Sequence, residues 1–254
     1  MTNQEIFFAK GDSPEMLEAF RKAQETFKYY WREVSWEYRR IIPALEVACV
    51  KVAFTQQLAD DEEPTVEHMW INNVSFDGDE ISGTLVNEPQ QLTNVQLNDE
   101  VTVPLRQISD WLFAIMGKTY GGFTIQAMRS LMSEDARKAH DEAWGVDFGD
   151  FEEVLWAYEQ KEHPENLEEH PMSRSMKDQW LKFVQNDSDE ITNQDEYGYN
   201  LLHREVVAGN ATSVEILINS GYFDLQVKTN QGKTALDFAH QLEWSHIIPL
   251  LENN

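Results

Sequence analysis

The sequence predicts an α+β chain in which an N-terminal long helix plus antiparallel sheet domain is followed by a short all-α stack of repeats. Apolar residues recur at helical spacing over about residues 13–38, and the period then shortens to that of strands between residues 47 and 108. Near the C-terminus two stretches repeat each other at a spacing of 34 residues. The predicted boundaries are 1–145 for the α+β domain, 146–172 for a helix and acidic linker, and 173–254 for the repeats, a degenerate first one plus two.

Ser13-Pro14-Glu15 reads as a helix start, with a capping hydroxyl, proline at the first helical position and an acid in the first turn. Leu17, Phe20, Phe27, Trp31 and Val34 then predict one long amphipathic helix to about residue 38, ending before Pro43. Val47–Phe54 reads as a buried strand, and Asp60-Asp61-Glu62-Glu63-Pro64 as an acidic loop. Residues 68–76 and 81–86 read as two strands around Asp77-Gly78-Asp79, and Val101–Ile108 as another. Helices are expected at 123–132, at 134–144 between Ser133 and Gly145, and at 151–161 behind Asp150 with Glu153 completing a capping box. Residues 162–173, carrying Pro164 and Pro171 among acids, read as the linker.

The first full repeat runs from Asp195-Glu196-Tyr197-Gly198 through Asn200 and His203 to Val214, Leu217 and Gly221. The second runs from Asn230-Gln231-Gly232 through Thr234 and Asp237 to Ile247, Ile248 and Leu251. Gly198 pairs with Gly232, Leu202 with Leu236 and Leu217 with Leu251. Thirty-four residues upstream of Val214 and Leu217 stand Trp180 and Phe183, and Glu190-Ile191 aligns with Asp224-Leu225, so a helix at 174–185 is expected to close a degenerate first unit. A glycine turn, a short helix and a second apolar helix at this period resemble the ankyrin repeat. That resemblance implies stacking into an extended binding surface with no chemistry of its own.

Composition narrows the function. The net charge is −25, spread as −1 over residues 1–50 and −12 over each of residues 51–150 and 151–254. Between Asp147 and His170 there are nine acids against one lysine. Such charge serves solubility, or it draws a basic partner and speeds encounter. Direct nucleic-acid binding is excluded, because phosphate contacts need clustered Lys and Arg. No apolar run is long enough to span a membrane and no secretory signal is visible, so the expectation is a cytoplasmic protein without a membrane partner. The single cysteine, Cys49, lies in an apolar run and reads as a buried hydrophobe, which fits a reducing compartment.

The middle of the chain carries a series of motifs. Met16 and its helix, Val50–Phe54 and Glu67-His68-Met69-Trp70 are followed by Gly83–Pro89, Ile108–Trp111, Gly117-Lys118 and Gly121-Gly122-Phe123-Thr124. In this order and spacing, over about residues 13–133, they resemble the YegJ-like bacterial domain of unknown function 2314. The resemblance implies a small bacterial α+β module with no established activity. Its fusion to repeats implies an accessory or immunity role.

Three constellations invite chemistry. His68 could act as a base oriented by Glu67, but neighbouring strand residues point to opposite faces, so the two side chains diverge. Ser109-Asp110 offers a hydroxyl and a carboxylate without a Gly-x-Ser-x-Gly elbow, and reads as a turn or helix cap with Trp111 in the core. Gly117-Lys118-Thr119 lacks the glycine of a phosphate loop, since Leu112 stands five residues before Gly117. His163, His170, His203, His240 and His246 lack the tight spacing of zinc ligands, so no metal and no cofactor are expected. His203 falls where ankyrin repeats place a structural histidine.

The expected function is therefore a non-enzymatic protein-binding module: a bacterial immunity protein that binds and neutralises a cognate toxin of the type VI, Rhs or polymorphic kind. The partner is expected to be a basic or basic-clefted protein. Partner-binding residues are expected on the repeat turns: Asp195, Glu196, Tyr197, Tyr199, Tyr222 and Phe223, whose aromatic rings alternatively pack against the linker helix. The alternatives are a hydrolase-like enzyme using Glu67, His68, Ser109 or Asp110, and a stress-linked adaptor.

Overall fold

A computed structural model describes residues 13–58, 63–186 and 191–253. Met1–Glu5, Asp60–Glu62 of the acidic loop and Glu190 of the repeat alignment lie outside the described residues. The chain divides into two units: one comprises residues through Tyr30 and Arg40–Tyr158, the other Trp31–Arg39 and Glu159 onward. Mixed helix and antiparallel sheet is the observed class.

In the first unit, α1 (Pro14–Glu37, its residues through Tyr30) begins where Ser13 Oγ accepts the Met16 N–H at 3.3 Å. Its buried stripe differs from the expected one. Met16, Ala19, Ala23, Phe27 and Tyr30 are buried, whereas Leu17 is 55% exposed. The stripe includes two small residues, Ala19 and Ala23, that a pattern of large apolar residues leaves out.

The sheet holds β1 (Val47–Gln56), β2 (Thr65–Phe76), β3 (Glu80–Leu85), β4 (Glu100–Pro104), β5 (Ile108–Ile115) and β6 (Lys118–Gly121). Their spatial order is β4-β3-β2-β1-β5-β6, with every neighbouring pair antiparallel. The register alternates faces. Val50 lies opposite Ile71 and Trp111 on one face, under Phe27 and Tyr30 of α1; Cys49 lies opposite Leu112 on the other. That second face packs with Ile125 and Phe148 beneath α2 (Phe123–Ser130). The expected strand at 101–108 is broken by a tight turn at Leu105–Gln107, and a new strand starts at Ile108. Ser109 and Asp110 therefore sit in β5 and not in a turn, although the Asp110 carboxylate caps α2 from there, while Trp111 is fully buried as expected. Every residue of β5 is buried, as in a strand covered on both faces, so it shows none of the alternation that marks a half-exposed strand.

α3 (Glu134–Trp144) is capped by Ser133 and ended by Gly145 in the left-handed region, as expected. The helix expected at 151–161 is absent. Asp150 accepts the Glu152 N–H in a local turn, and the Leu155 carbonyl accepts the Gly121 N–H at 2.8 Å, which draws the chain out along the end of β6. Trp156 packs on Tyr29, and Ala157 is buried.

Among the described residues the second unit holds three consecutive helix pairs: α4 (Pro171–Ser175) with α5 (Lys177–Asn186), α6 (Leu201–Val207) with α7 (Ala211–Asn219), and α8 (Ala235–Gln241) with α9 (Ile248–Glu252). α6 packs on α8, α5 on α7 and α7 on α9. The first helices of the last two pairs begin 34 residues apart, behind capping boxes at Asn200 and Thr234. The last turns of α1 belong to this unit. There the buried Arg32 donates to the carbonyls of Asn166, Leu167 and Glu168, and the Glu33 carboxylate meets His170 at 3.1 Å. Trp36 Nε1 donates to Asn210 Oδ1 at 2.9 Å, and Asn210 Nδ2 donates to Glu205 at 2.8 Å. Arg39 closes this network with two bonds to Glu205, the shorter at 2.6 Å.

Candidate functional site

Two turns related by the 34-residue spacing share their main-chain bonds. Asp195 N–H donates to the Tyr199 carbonyl and Gly198 N–H to that of Asp195; Thr229 and Gly232 repeat the pattern with Lys233 and Thr229. The turns are laced together, since Asn230 N–H donates to the Tyr197 carbonyl at 2.9 Å and Asn230 Nδ2 to that of Glu196 at 2.8 Å. Gly198 is required here: its φ is +84°, and a Cβ would stand 2.9 Å from the Asn230 nitrogen. His203 fixes the rear of the first turn. Its Nδ1 accepts the Asn200 N–H and its Nε2 donates to the Val227 carbonyl at 3.2 Å, so the ring is neutral. Burial holds its pKa below the usual histidine value.

On this frame Tyr197 is 63% exposed and Glu196 is exposed beside it. Asp195 is half-buried and engaged within the turn, accepting the N–H groups of Tyr197 and Tyr199 and pairing with Arg204. Burial raises its pKa, but those donors and Arg204 more than offset that, leaving the carboxyl below its ordinary value. Tyr199, expected among the surface aromatics, is buried at 5% and stacks on Phe238, so it holds the second pair against the first. Tyr222 and Phe223 follow α7, where Tyr222 is half exposed and borders a cavity with Leu181, Val184 and Ile216.

In the first unit Lys51, Trp70, Ser109, Asp110 and Thr124 meet near the β1–β5 junction. Glu67 and His68 diverge: Glu67 accepts the N–H groups of Gln90, Gln91 and Leu92, whereas His68 Nδ1 lies 2.9 Å from Ser109 Oγ and its ring stacks on Phe20. Ser109 is 2% exposed and its hydroxyl also donates to the Lys51 carbonyl, so it is no accessible nucleophile. Asp110 is fully buried and accepts from the N–H groups of Trp111, Phe123 and Thr124 and from the Thr124 hydroxyl. It thereby satisfies the start of α2. Thr124 Oγ1 in turn accepts from Lys51 Nζ at 3.3 Å, and the Lys51 ammonium stands 5.1 Å over the Trp70 ring. Burial raises the Asp110 carboxyl and lowers the Lys51 ammonium, each opposed by the charge of the other. Sequence reasoning missed this Lys51–Thr124–Asp110 chain. Its one signal was a lysine inside an apolar strand.

Two further motif residues, Asn87 and Gly121, serve the backbone. Asn87 Oδ1 accepts the Trp70 N–H at 2.6 Å, and at Gly121, whose φ is +74°, a Cβ would run into the carbonyl and ring of Trp111.

The family model for DUF2314, described as an uncharacterized protein conserved in bacteria, matches residues 13–148. The chain belongs to the DUF2314 family. A relative from Neisseria meningitidis serogroup B, named "Putative ankyrin repeat protein NMB1133/NMB1171", is 48% identical over 252 residues, covering 99% of this chain and 98% of its own. The uncharacterized protein YegJ of Escherichia coli K12 is 34% identical over 62 residues, 24% of this chain and 40% of that one. No solved structure matches. The DUF2314 match indicates no enzymatic family. Among the described residues no helix is long and apolar enough to cross a membrane.

Proposed function

We propose that this DUF2314 protein is a non-enzymatic, cytoplasmic protein-binding module, an immunity protein that captures and neutralises a basic or basic-clefted toxin. Residues 1–145 form the DUF2314 module in this reading, 146–172 the connection and 173–254 a short ankyrin stack. The observation that carries the reading is the laced pair of turns, a rigid main chain presenting Tyr197 and Glu196 to solvent. Preorganised turns lower the entropic cost of binding, and a net charge of −25 steers a basic partner toward them. The Neisseria relative's name, which speaks of an ankyrin repeat protein, supports the ankyrin-stack part of this reading.

The test is stopped-flow association with the product of the neighbouring gene across a salt series. The association rate should fall steeply with salt, and Tyr197→Ala should speed dissociation by about 30-fold, the equivalent of a ~2 kcal/mol anchor. An association rate indifferent to salt, or no complex at all, removes the proposal. Co-expression should also restore growth to cells making that product.

A further inference from the structure

The second unit contains a groove that the turn surface does not use. Trp36, Met176, Trp180, Phe183 and Leu201 line it, and its volume is about 420 Å³, within the ~300–1,000 Å³ of ordinary ligand clefts. Its mouth is open, with Phe183 39% exposed. Trp180 is the unusual wall. Its indole nitrogen is buried, and no acceptor among the described residues reaches it. A buried donor left without a partner is destabilising. The ring therefore stands where a rotation onto an incoming acceptor would be favourable.

Charge narrows the occupant further. Arg39 and Glu205 are the charged groups bordering the groove, and they neutralise each other in a bidentate pair. Both Glu205 oxygens are taken, by Arg39, Asn210 and Ser213, so the groove has no carboxylate acceptor to spare. Besides apolar surface it offers the Trp180 N–H and, on its exposed side, the Gln179 amide. An acidic side chain entering here would face Glu205, and a basic one would face Arg39. The complement is an uncharged apolar group carrying a carbonyl.

We infer that the groove receives one large apolar side chain from a segment of a partner protein, with the Trp180 indole turning to donate to a main-chain carbonyl of that segment. The inference rests on the protein-binding reading above and gives it a second contact, separate from the turns.

The test uses the full-length chain and two probes: acetyl-Gly-Phe-Gly-amide, which combines a ring with main-chain carbonyls, and toluene, which has the ring alone. The peptide should move the Trp180 indole N–H resonance downfield on saturation, and toluene should bind at least about tenfold more weakly without that shift. Trp180→Phe keeps the wall and removes the donor. It should weaken the peptide about 2- to 10-fold, as loss of one neutral hydrogen bond does, while leaving toluene unchanged. Toluene binding as tightly as the peptide would mark a small-molecule cavity and overturn the inference. So would an indole resonance that stays in place at peptide saturation, or no peptide binding. The two readings fail separately. A toxin partner whose dissociation from Phe183→Ala is unchanged removes the groove and leaves the module's binding role, whereas no partner for the native chain removes that role and leaves the peptide experiment to judge the groove.

Discussion

Replacing Glu205 with alanine should be among the most damaging single changes in the helical unit. Its carboxylate is fully buried and accepts from four donors: two Arg39 nitrogens, Asn210 Nδ2 at 2.8 Å and Ser213 Oγ at 2.7 Å. The consequences of truncation differ donor by donor. Arg39 is 32% exposed and can turn to water, so its loss is small. Ser213 keeps the Asn210 carbonyl as acceptor. Asn210 is fully buried, and its amide N–H is left without this acceptor while its oxygen still holds Trp36. One stranded buried donor at about 1–3 kcal/mol, plus the void and the broken ion pair, gives a total of about 3–5 kcal/mol. Glu205→Gln keeps the volume and one oxygen and should lose about half as much. Because two units need not unfold together, the readout should be local: hydrogen exchange of the buried Val206 and Leu217 amides against urea. A loss below about 1 kcal/mol for alanine, or equal losses for alanine and glutamine, would show that the network contributes little.

Gly121→Ala should destabilise the sheet unit by at least about 2 kcal/mol, because φ is +74° and the new Cβ would overlap the Trp111 carbonyl; a melting temperature within a degree of the parent would refute the close approach. Stability should also decline as pH falls below about 6.5. Burial depresses the pKa values of His68, His203 and His246, so the unfolded chain takes up protons before the folded one does and is favoured as pH drops toward the folded values. A second loss should come in the carboxylate range, where Asp237 is held low by the Thr234 N–H and hydroxyl. Stability that is flat from pH 7 to 5, or a His203 ring that titrates near its ordinary value while the fold persists, would contradict the neutral ring seen at the turn.

Local signals in the sequence were enough for several elements. Ser13-Pro14 opened α1, Ser133 and Gly145 bracketed α3, and the 34-residue echo placed the α6 and α8 starts, because caps and glycine turns act within a few residues of themselves. The divergence of Glu67 from His68 followed from strand geometry alone. Other features depended on distant partners. Ser109-Asp110 reads as a turn or cap because both residues are polar, and only the tertiary structure shows that they lie in β5, with Asp110 capping the remote α2 and Ser109 bound to the Lys51 carbonyl. The helix expected at 151–161 had its local capping pattern, but a bond from Gly121 to Leu155 and the packing of Trp156 on Tyr29 hold part of that segment elsewhere. Tyr197 and Tyr199 are two residues apart and chemically alike, yet one is at the surface and the other lies beneath Phe238. The sequence by itself determined where α1, α3, α6 and α8 begin and where the 34-residue spacing falls. Tertiary structure decided which polar groups are buried and which rings remain exposed, because burial depends on what packs opposite a residue and the residues opposite are contributed by remote segments of the chain.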